Sequence, residues 1–298
     1  MNPSVWPVTE TFVAEIGDLD LSQPLSEADW QVVEEAFETY AILIIPDQRI
    51  SQQQHIDFAL RFGPMDNSIL VNISDAKPRV RTDIADVSNL DGNDQIRAED
   101  DRQRLYRLGN RLWHTDRSFK EVPAKASLLY MREIPPVGGH TEFADMRAAY
   151  DALPDALQRK IDNLVAVHAI AYSREKMGFE MTAEEIETLL PVPQAMVRRH
   201  AYSGRTSIYV ASHAGEIVGM SDADGPALLA ELIAHATQRQ FVHTHRWRAN
   251  DLVIWDNRCT MHRGLTFDDQ RWRRDAQRAT VMDVAPTCEQ EGIEAAAE

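Results

Sequence analysis

The sequence predicts a mainly β fold with helices, a β-barrel or jelly roll decorated by helices. Short apolar runs of strand length recur along the chain. Helical stripes are confined to the front and to inserts between strands. The 298 residues, 44% hydrophobic, show no internal repeat and no linker. A barrel of this size commonly forms one domain, so residues 1–298 read as a single domain.

Residues 11–25 read as a short strand and turn feeding a helix. Ser26-Glu-Ala-Asp29 resembles a capping box with Asp29 in place of the usual Glu or Gln, and Trp30, Val33, Phe37 and Tyr40 form the stripe behind it. Ala41–Pro46 is an apolar run closed by proline and reads as a buried strand. A second helix spans Ser51–Phe62, capped by Ser51 and ended by Gly63. Residues 66–110 are polar and irregular; a lid or binding loop and a solvated excursion are equally good readings. Strands follow at Ala126–Met131 and from Thr141, separated by the turn Pro135–Gly139. Asp145–Leu153 and Pro154–Leu164 are helical, with Pro154 in the first turn. Val165–Ala169 and Ser207–Val210 read as strands, Thr182 caps a helix that ends before Pro191, and His200–Arg205 reads as a turn. Ser221–Thr237 is a helix on its Leu228, Leu229, Leu232 and Ile233 stripe. Gln240–Arg246, Asp251–Trp255 and Gln277–Asp283 are strands, and Asn257–Gly264 is a loop or strand edge. The acidic, Ala-rich tail after Pro286 reads as frayed.

The formal net charge of −16 argues against a nucleic-acid surface and against affinity for anionic membranes. An anionic ligand would need a local basic pocket, since exposed charges beyond about 8 Å are largely screened. The two cysteines, Cys259 and Cys288, lack metal-type spacing, and no signal peptide or membrane-length apolar run is present. A soluble cytoplasmic protein is the expectation.

The chemistry centres on Arg111–Phe119, which contains His114-Thr115-Asp116. On a strand, side chains two apart share a face, so His114 and Asp116 would present an imidazole and a carboxylate to one point. With one further His, this is the two-His-one-carboxylate set that favours non-haem Fe(II) and leaves coordination positions open. The pair is not unique: His55-Ile56-Asp57 lies on a helix, where such a pair diverges, and His140-Thr141-Glu142 remains a competitor. The bland alternative for His114 is a hydrogen-bonded strand histidine.

A second stretch, Trp255-Asp-Asn-Arg-Cys-Thr-Met-His262-Arg, delivers another His after a buried-looking strand. Beyond it, Arg271-Trp-Arg-Arg274-Asp-Ala-Gln-Arg278 is the densest basic cluster of the chain. Arg274 and Arg278 would share one face on either a helix or a strand, and guanidinium suits two-point grip of a carboxylate.

Trp-His-Thr-Asp, Gly-Gly-His-Thr, Trp-Asp-Asn-Arg-x-x-x-His-Arg and Arg-x-x-x-Arg-Ala-Thr, in that order, resemble the taurine dioxygenase family of Fe(II)/2-oxoglutarate-dependent oxygenases. The branch containing 2,4-dichlorophenoxyacetate dioxygenase is the most similar, and the likeness runs from about Gly17 to Asp283. The resemblance implies a double-stranded β-helix (jelly-roll, cupin-like) barrel. It implies that His114, Asp116 and His262 bind Fe(II). It implies that Thr141 and Arg274 hold the distal carboxylate of 2-oxoglutarate, with Trp255 lining that site. Arg278 matches the position that grips the substrate anion, and Asn110 one beside substrate and metal. His140 departs from the Asp common in the Gly-Gly-x-Thr turn. The segment Met65–Asp75, where such enzymes differ, carries no basic residue, so the anion would rest chiefly on Arg278.

His200 and His213 are candidates for the pocket lining, with structural roles as the alternative. Trp113 is a candidate neighbour of the iron or a core residue. Arg271 and Arg273 read as solvated or paired with Asp268 and Asp269, and Cys259 as a packed small side chain. The implied reaction uses O2 and 2-oxoglutarate to hydroxylate the carbon next to the ether oxygen of an aryloxyalkanoate, releasing a phenol and glyoxylate with succinate and CO2. The alternatives are oxidation of a sulfonate such as taurine, and a non-catalytic barrel that binds a small anion. Such barrels commonly associate, so a homo-oligomer is among the implied partners.

Overall fold

The computed structural model describes residues 3–66 and 77–290. Its larger sheet has seven strands, in the spatial order Ser4–Pro7, Val13–Gly17, Ile42–Ile45, Leu252–Asp256, Ala124–Glu133, Asp275–Met282 and Ala85–Asp86. All neighbours are antiparallel except Val13–Gly17 and Ile42–Ile45, which run parallel. A smaller sheet places Thr141–Asp145 between Val242–His245 and Thr260–Gly264. Helices decorate both sheets, as the predicted jelly-roll class requires.

Strand alternation explains the layering. Val13, Ile42, Ile44, Leu129, Met131, Val253, Trp255 and Ala276 of the larger sheet join Phe143 of the smaller one in the core between the sheets. The alternate residues Leu43, Ile45, Leu128, Tyr130, Ile254, Ala279 and Val281 face outward onto two helices. These are Glu27–Tyr40 and Gln52–Ala59, which contribute Trp30, Val33, Phe37 and Phe58. The outer face of the smaller sheet, with Ala144 and Met261, is covered by Met146–Asp151 and Asp224–Ala236.

Local signals in the sequence hold. Ser26, Ser51 and Thr182 are N-caps whose hydroxyls accept from the third residue on, and Ser51 and Thr182 form full capping boxes. Gly138 and Gly139 turn at φ 79° and 67°, where any Cβ at Gly138 would stand 2.5 Å from the Thr266 carbonyl oxygen. The strands Ser4–Pro7, Val192–Ala195, Val197–Arg199 and Ala214–Ile217 and the helix Ile170–Glu175 were not legible in the sequence.

Three expectations change. The His114–Asp116 stretch is not a strand: His114 forms a single antiparallel bridge with His262, and Arg117 turns the chain at φ 57°. The 66–110 stretch is partly ordered into regular structure. Its described part contains the short strand Ala85–Asp86, the helix Arg102–Arg107 and a 3-10 turn at Leu108–Arg111. Of the Met65–Asp75 segment, only Met65 and Asp66 lie within the described residues. The tail after Pro286 begins docked rather than frayed: buried Thr287 donates to Gln194 Oε1 (2.6 Å) and accepts from Ala195 N (2.9 Å). Residues 291–298 lie outside the described part.

Candidate functional site

His114 and His262 face each other across the bridge, exchanging backbone hydrogen bonds in both directions at 3.0 and 2.7 Å. This pairing sets their ring centroids 4.2 Å apart. Asp116, carried round by the following turn, completes a buried cluster in which one ligand atom from each residue lies within 4.8 Å of the others. Asp116 Oδ1 is 3.9 Å from His114 Nε2, and Asp116 Oδ2 is 3.8 Å from His262 Nε2.

Protonation states suit a cation. The Leu112 carbonyl, 2.8 Å from His114 Nδ1, can only accept, so Nδ1 carries the proton and Nε2 keeps its lone pair. Burial pushes His114 below its ordinary pKa and His262 well below, keeping both rings neutral. For Asp116, burial works toward protonation, but the Arg278 guanidinium, helped by the hydrogen bond from Ser127, outweighs it and holds the carboxyl well below the usual range. Two neutral imidazoles and one carboxylate on one spot fit Fe(II), with positions left for other ligands.

The carboxylate is fixed from behind. Ser127 Oγ donates to Asp116 Oδ2 (2.7 Å), and Asn257 Nδ2 donates to Ser127 Oγ (3.0 Å). Asn257 Oδ1 accepts from the Asp116 backbone N (3.1 Å) and from Trp255 Nε1 (3.1 Å). Ser127 and Asn257 are wholly buried.

Two cavities meet at the cluster. The smaller, about 140 Å³, is lined by His114, Thr141, Trp255, His262, Arg274 and Arg278 among others. Arg274 starts the strand at Asp275; its Nε and Nη1 donate to the Gly139 and Val87 carbonyls at 3.3 and 3.4 Å. No carboxylate among the described residues pairs with it. Burial pushes its guanidinium down to about 10, so it stays charged at neutral pH. Thr141 Oγ1 accepts from Trp247 Nε1 (3.0 Å), which leaves its own proton to donate.

The larger cavity, about 250 Å³, is walled by the described part of the 66–110 stretch from Pro78 to Val87. His114, Asp116, Asn110, His213 and Arg278 line it together with the apolar side chains of Val80, Ile84, Tyr106, Phe119 and Ile170. Thus His114, Asn110 and Arg278 touch both cavities, Asp116 faces the larger and His262 the smaller.

A family model described as "Taurine catabolism dioxygenase TauD, TfdA family" matches residues 4–280. The chain belongs to this family. It is a dioxygenase, which removes the reading as a non-catalytic barrel. It is 39% identical over 281 residues to the alpha-ketoglutarate-dependent 2,4-dichlorophenoxyacetate dioxygenase of Cupriavidus pinatubonensis, covering 94% of this chain and 97% of that one. It is 34% identical over 279 residues to the (S)-phenoxypropionate/alpha-ketoglutarate-dioxygenase of Sphingobium herbicidovorans, covering 90% and 92%. The crystal structure of AAD-2 in complex with Mn(II) and N-oxalylglycine superposes with a TM-score of 0.89 at 44% identity, covering 97% of this chain and 100% of that one.

Not every candidate of this dioxygenase joins the site. His213 does: it is buried in the larger cavity wall, its Nδ1 3.0 Å from Ser118 Oγ and its ring 5.8 Å from that of His114. His200 does not line either cavity. It is buried against Asp256 Oδ2 (3.1 Å) and Glu38 Oε2 (3.2 Å), in an ion cluster completed by Arg258. That buried acid ends the strand Leu252–Asp256, remote in sequence from His200. Trp113 packs under Arg263, 4.7 Å from its ring, away from both cavities. Arg273 pairs with Glu133 (2.9 Å) and Arg271 stacks on Trp272, while Asp269 is taken by Arg104 and Arg111. Glu142, once a rival ligand, pairs with Arg263 at 2.8 Å. Cys259 is buried and packed in the core between the sheets.

Ser127, Asn257 and Arg174 escaped the sequence reading. Ser127 left one signal, a lone polar residue within the apolar run Ala126–Met131.

Proposed function

We propose that this dioxygenase uses Fe(II) and 2-oxoglutarate to hydroxylate an aryloxyalkanoate at the carbon between ether oxygen and carboxylate. The observation that carries this reading is the His114–Asp116–His262 cluster, set where an anion-ready cavity meets an apolar one. His114, Asp116 and His262 would hold the metal. When bound, Fe(II) with 2-oxoglutarate and O2 supplies the oxidising power for C–H hydroxylation, with succinate and CO2 as co-products.

The chain's own residues bind, orient and exclude water. Arg274 and Thr141 grip the far carboxylate of 2-oxoglutarate in the smaller cavity, beside the Trp255 ring. N-oxalylglycine, bound in the AAD-2 crystal, also carries two carboxylates, which supports a dicarboxylate co-substrate for this chain. Arg278 draws the substrate carboxylate to the metal side of the larger cavity, with Asn110 and His213 beside it. Phe119, Ile170, Tyr106, Val80 and Ile84 offer an apolar seat to an aromatic ring and keep water from it. An alkylsulfonate has no ring to fill that seat. For an aryloxyacetate the hydroxylated product is a hemiacetal, which collapses to a phenol and glyoxylate.

Incubation with Fe(II), 2-oxoglutarate and a panel of phenoxyalkanoates tests the proposal. Phenol release matched by succinate is the expected result. No phenol from any member rejects the substrate class; sulfite from taurine would replace it.

A further inference from the structure

Among the described residues, six arginines reach the larger cavity, namely Arg79, Arg81, Arg107, Arg117, Arg174 and Arg278. Several of them meet carboxylates. Arg278 pairs with Asp116 (2.5 Å), Arg117 with Asp66 (2.7 Å), Arg81 with Asp83 (2.9 Å) and Arg79 with Asp275 (3.0 Å). Arg107 donates to the Ser88 carbonyl.

Arg174 is different. It is 4% exposed, yet no carboxylate among the described residues pairs with it. Its guanidinium carbon lies 4.0 Å over the Tyr106 ring, and Nη1 donates to Ser173 Oγ at 3.0 Å. Its Nε is buried without a hydrogen-bond partner among the described residues. A Cβ at Gly109 would stand 2.0 Å from Nη1 and 2.7 Å from Cζ, so only glycine leaves the guanidinium this berth. It lines the same cavity as His114 and His213.

A guanidinium does not shed its proton in a protein, and a buried charge without a partner is strongly unfavourable. An apolar side chain would fill the same space at less cost. The missing counter-charge is therefore expected from a ligand in the cavity that Arg174 lines.

We propose that Arg174 is a second anchor for the substrate carboxylate, gripping it from the helix Ile170–Glu175 while Arg278, tied to Asp116, approaches from the strand Asp275–Met282. This deepens the reading above and rests on the substrate being a carboxylate.

The test is binding to the Fe(II)- and 2-oxoglutarate-loaded enzyme without O2, so that no turnover is needed. Phenoxyacetate is compared with the neutral phenoxyacetamide in wild type, Arg174→Met and Arg174→Lys, with thermal unfolding measured alongside. Wild type should prefer the carboxylate. Arg174→Met should weaken phenoxyacetate by about 30-fold or more, the lower end of the loss when one member of a buried charge pair is removed. Phenoxyacetamide should be unaffected, Arg174→Lys should recover part of the preference, and Arg174→Met should unfold no earlier than wild type. Equal losses for both ligands, or an unchanged preference for the carboxylate, would overturn the assignment and leave Arg174 a packing residue. Carboxylate-selective binding that depends on Arg174, without phenol release in air, would strike the proposed reaction and leave the anchor standing.

Discussion

Arg278 Nη1 lies 2.5 Å from Asp116 Oδ1, while the other oxygen of the same carboxylate accepts from Ser127 at 2.7 Å. Both oxygens of Asp116 are thus held by side chains from two adjacent strands of the larger sheet, Asp275–Met282 and Ala124–Glu133. The carboxylate is ionised and aimed before any ion arrives, which lowers the reorganisation that ion binding requires. Asp116→Ala should abolish succinate formation and strip the enzyme of iron on gel filtration. Undiminished turnover with full iron occupancy would refute the ligand role.

Ser127 and Asn257 act on Asp116 and line neither cavity, so their effect should show in metal affinity. Anaerobic titration with Co(II), followed by its visible absorption, should weaken by about 10–100-fold in Ser127→Ala and Asn257→Ala, the usual cost of losing a residue that orients a ligand. Ser127→Thr should restore most of the affinity. Equal affinity in all variants would show that the Asp116 turn needs no such support.

Arg274 donates to two carbonyls and has no acid to pair with among the described residues. Arg274→Ala should chiefly raise the 2-oxoglutarate concentration needed for half-maximal succinate formation. A loss on the order of 2–5 kcal/mol is expected for a buried carboxylate pair, with the half-buried setting favouring the lower end. If the requirement does not move, another arginine holds that carboxylate.

His200 contributes to stability instead of substrate binding. Burial opposes its charge, but hydrogen bonds to Asp256 and Glu38 outweigh it and raise the imidazole above its ordinary pKa. A raised folded value stabilises the protonated state. The contribution is therefore complete below about pH 6.5, the unfolded value, and is lost as pH rises through the folded one. The melting-temperature gap between wild type and His200→Gln should be widest in acid and shrink toward alkaline pH. A gap that stays constant would show that only packing is lost.

Particular residues show what the sequence could and could not disclose. Ser26, Ser51 and Thr182 cap helices through contacts three residues away, so their roles are written locally. His114 and Asp116 stood out by type and spacing, while His262 as their partner and Arg274 as an anion grip were implied by the family resemblance, and the geometry that joins the cluster differs from a strand. A single bridge supplies the His114–His262 pairing and a left-handed residue, Arg117, supplies the turn. Arg174 was silent because what marks it is the want of a carboxylate partner among the described residues and the bare Gly109 from a distant element. His200 misled because Asp256, Glu38 and Arg258 converge on it only after folding. Arg271 is exposed, in keeping with the solvated reading, whereas Arg273 pairs with Glu133 and the nearby Asp269 is bound by Arg104 and Arg111, partners that only folding brings to it.

The central claim is that His114, Asp116 and His262 share one ferrous ion. Anomalous diffraction at the iron edge, from crystals grown anaerobically with Fe(II), tests it most directly. A single strong peak bonded to one nitrogen each of His114 and His262 and to the Asp116 carboxylate is the predicted result. A peak on other side chains, or none at this cluster in iron-loaded active protein, would contradict it.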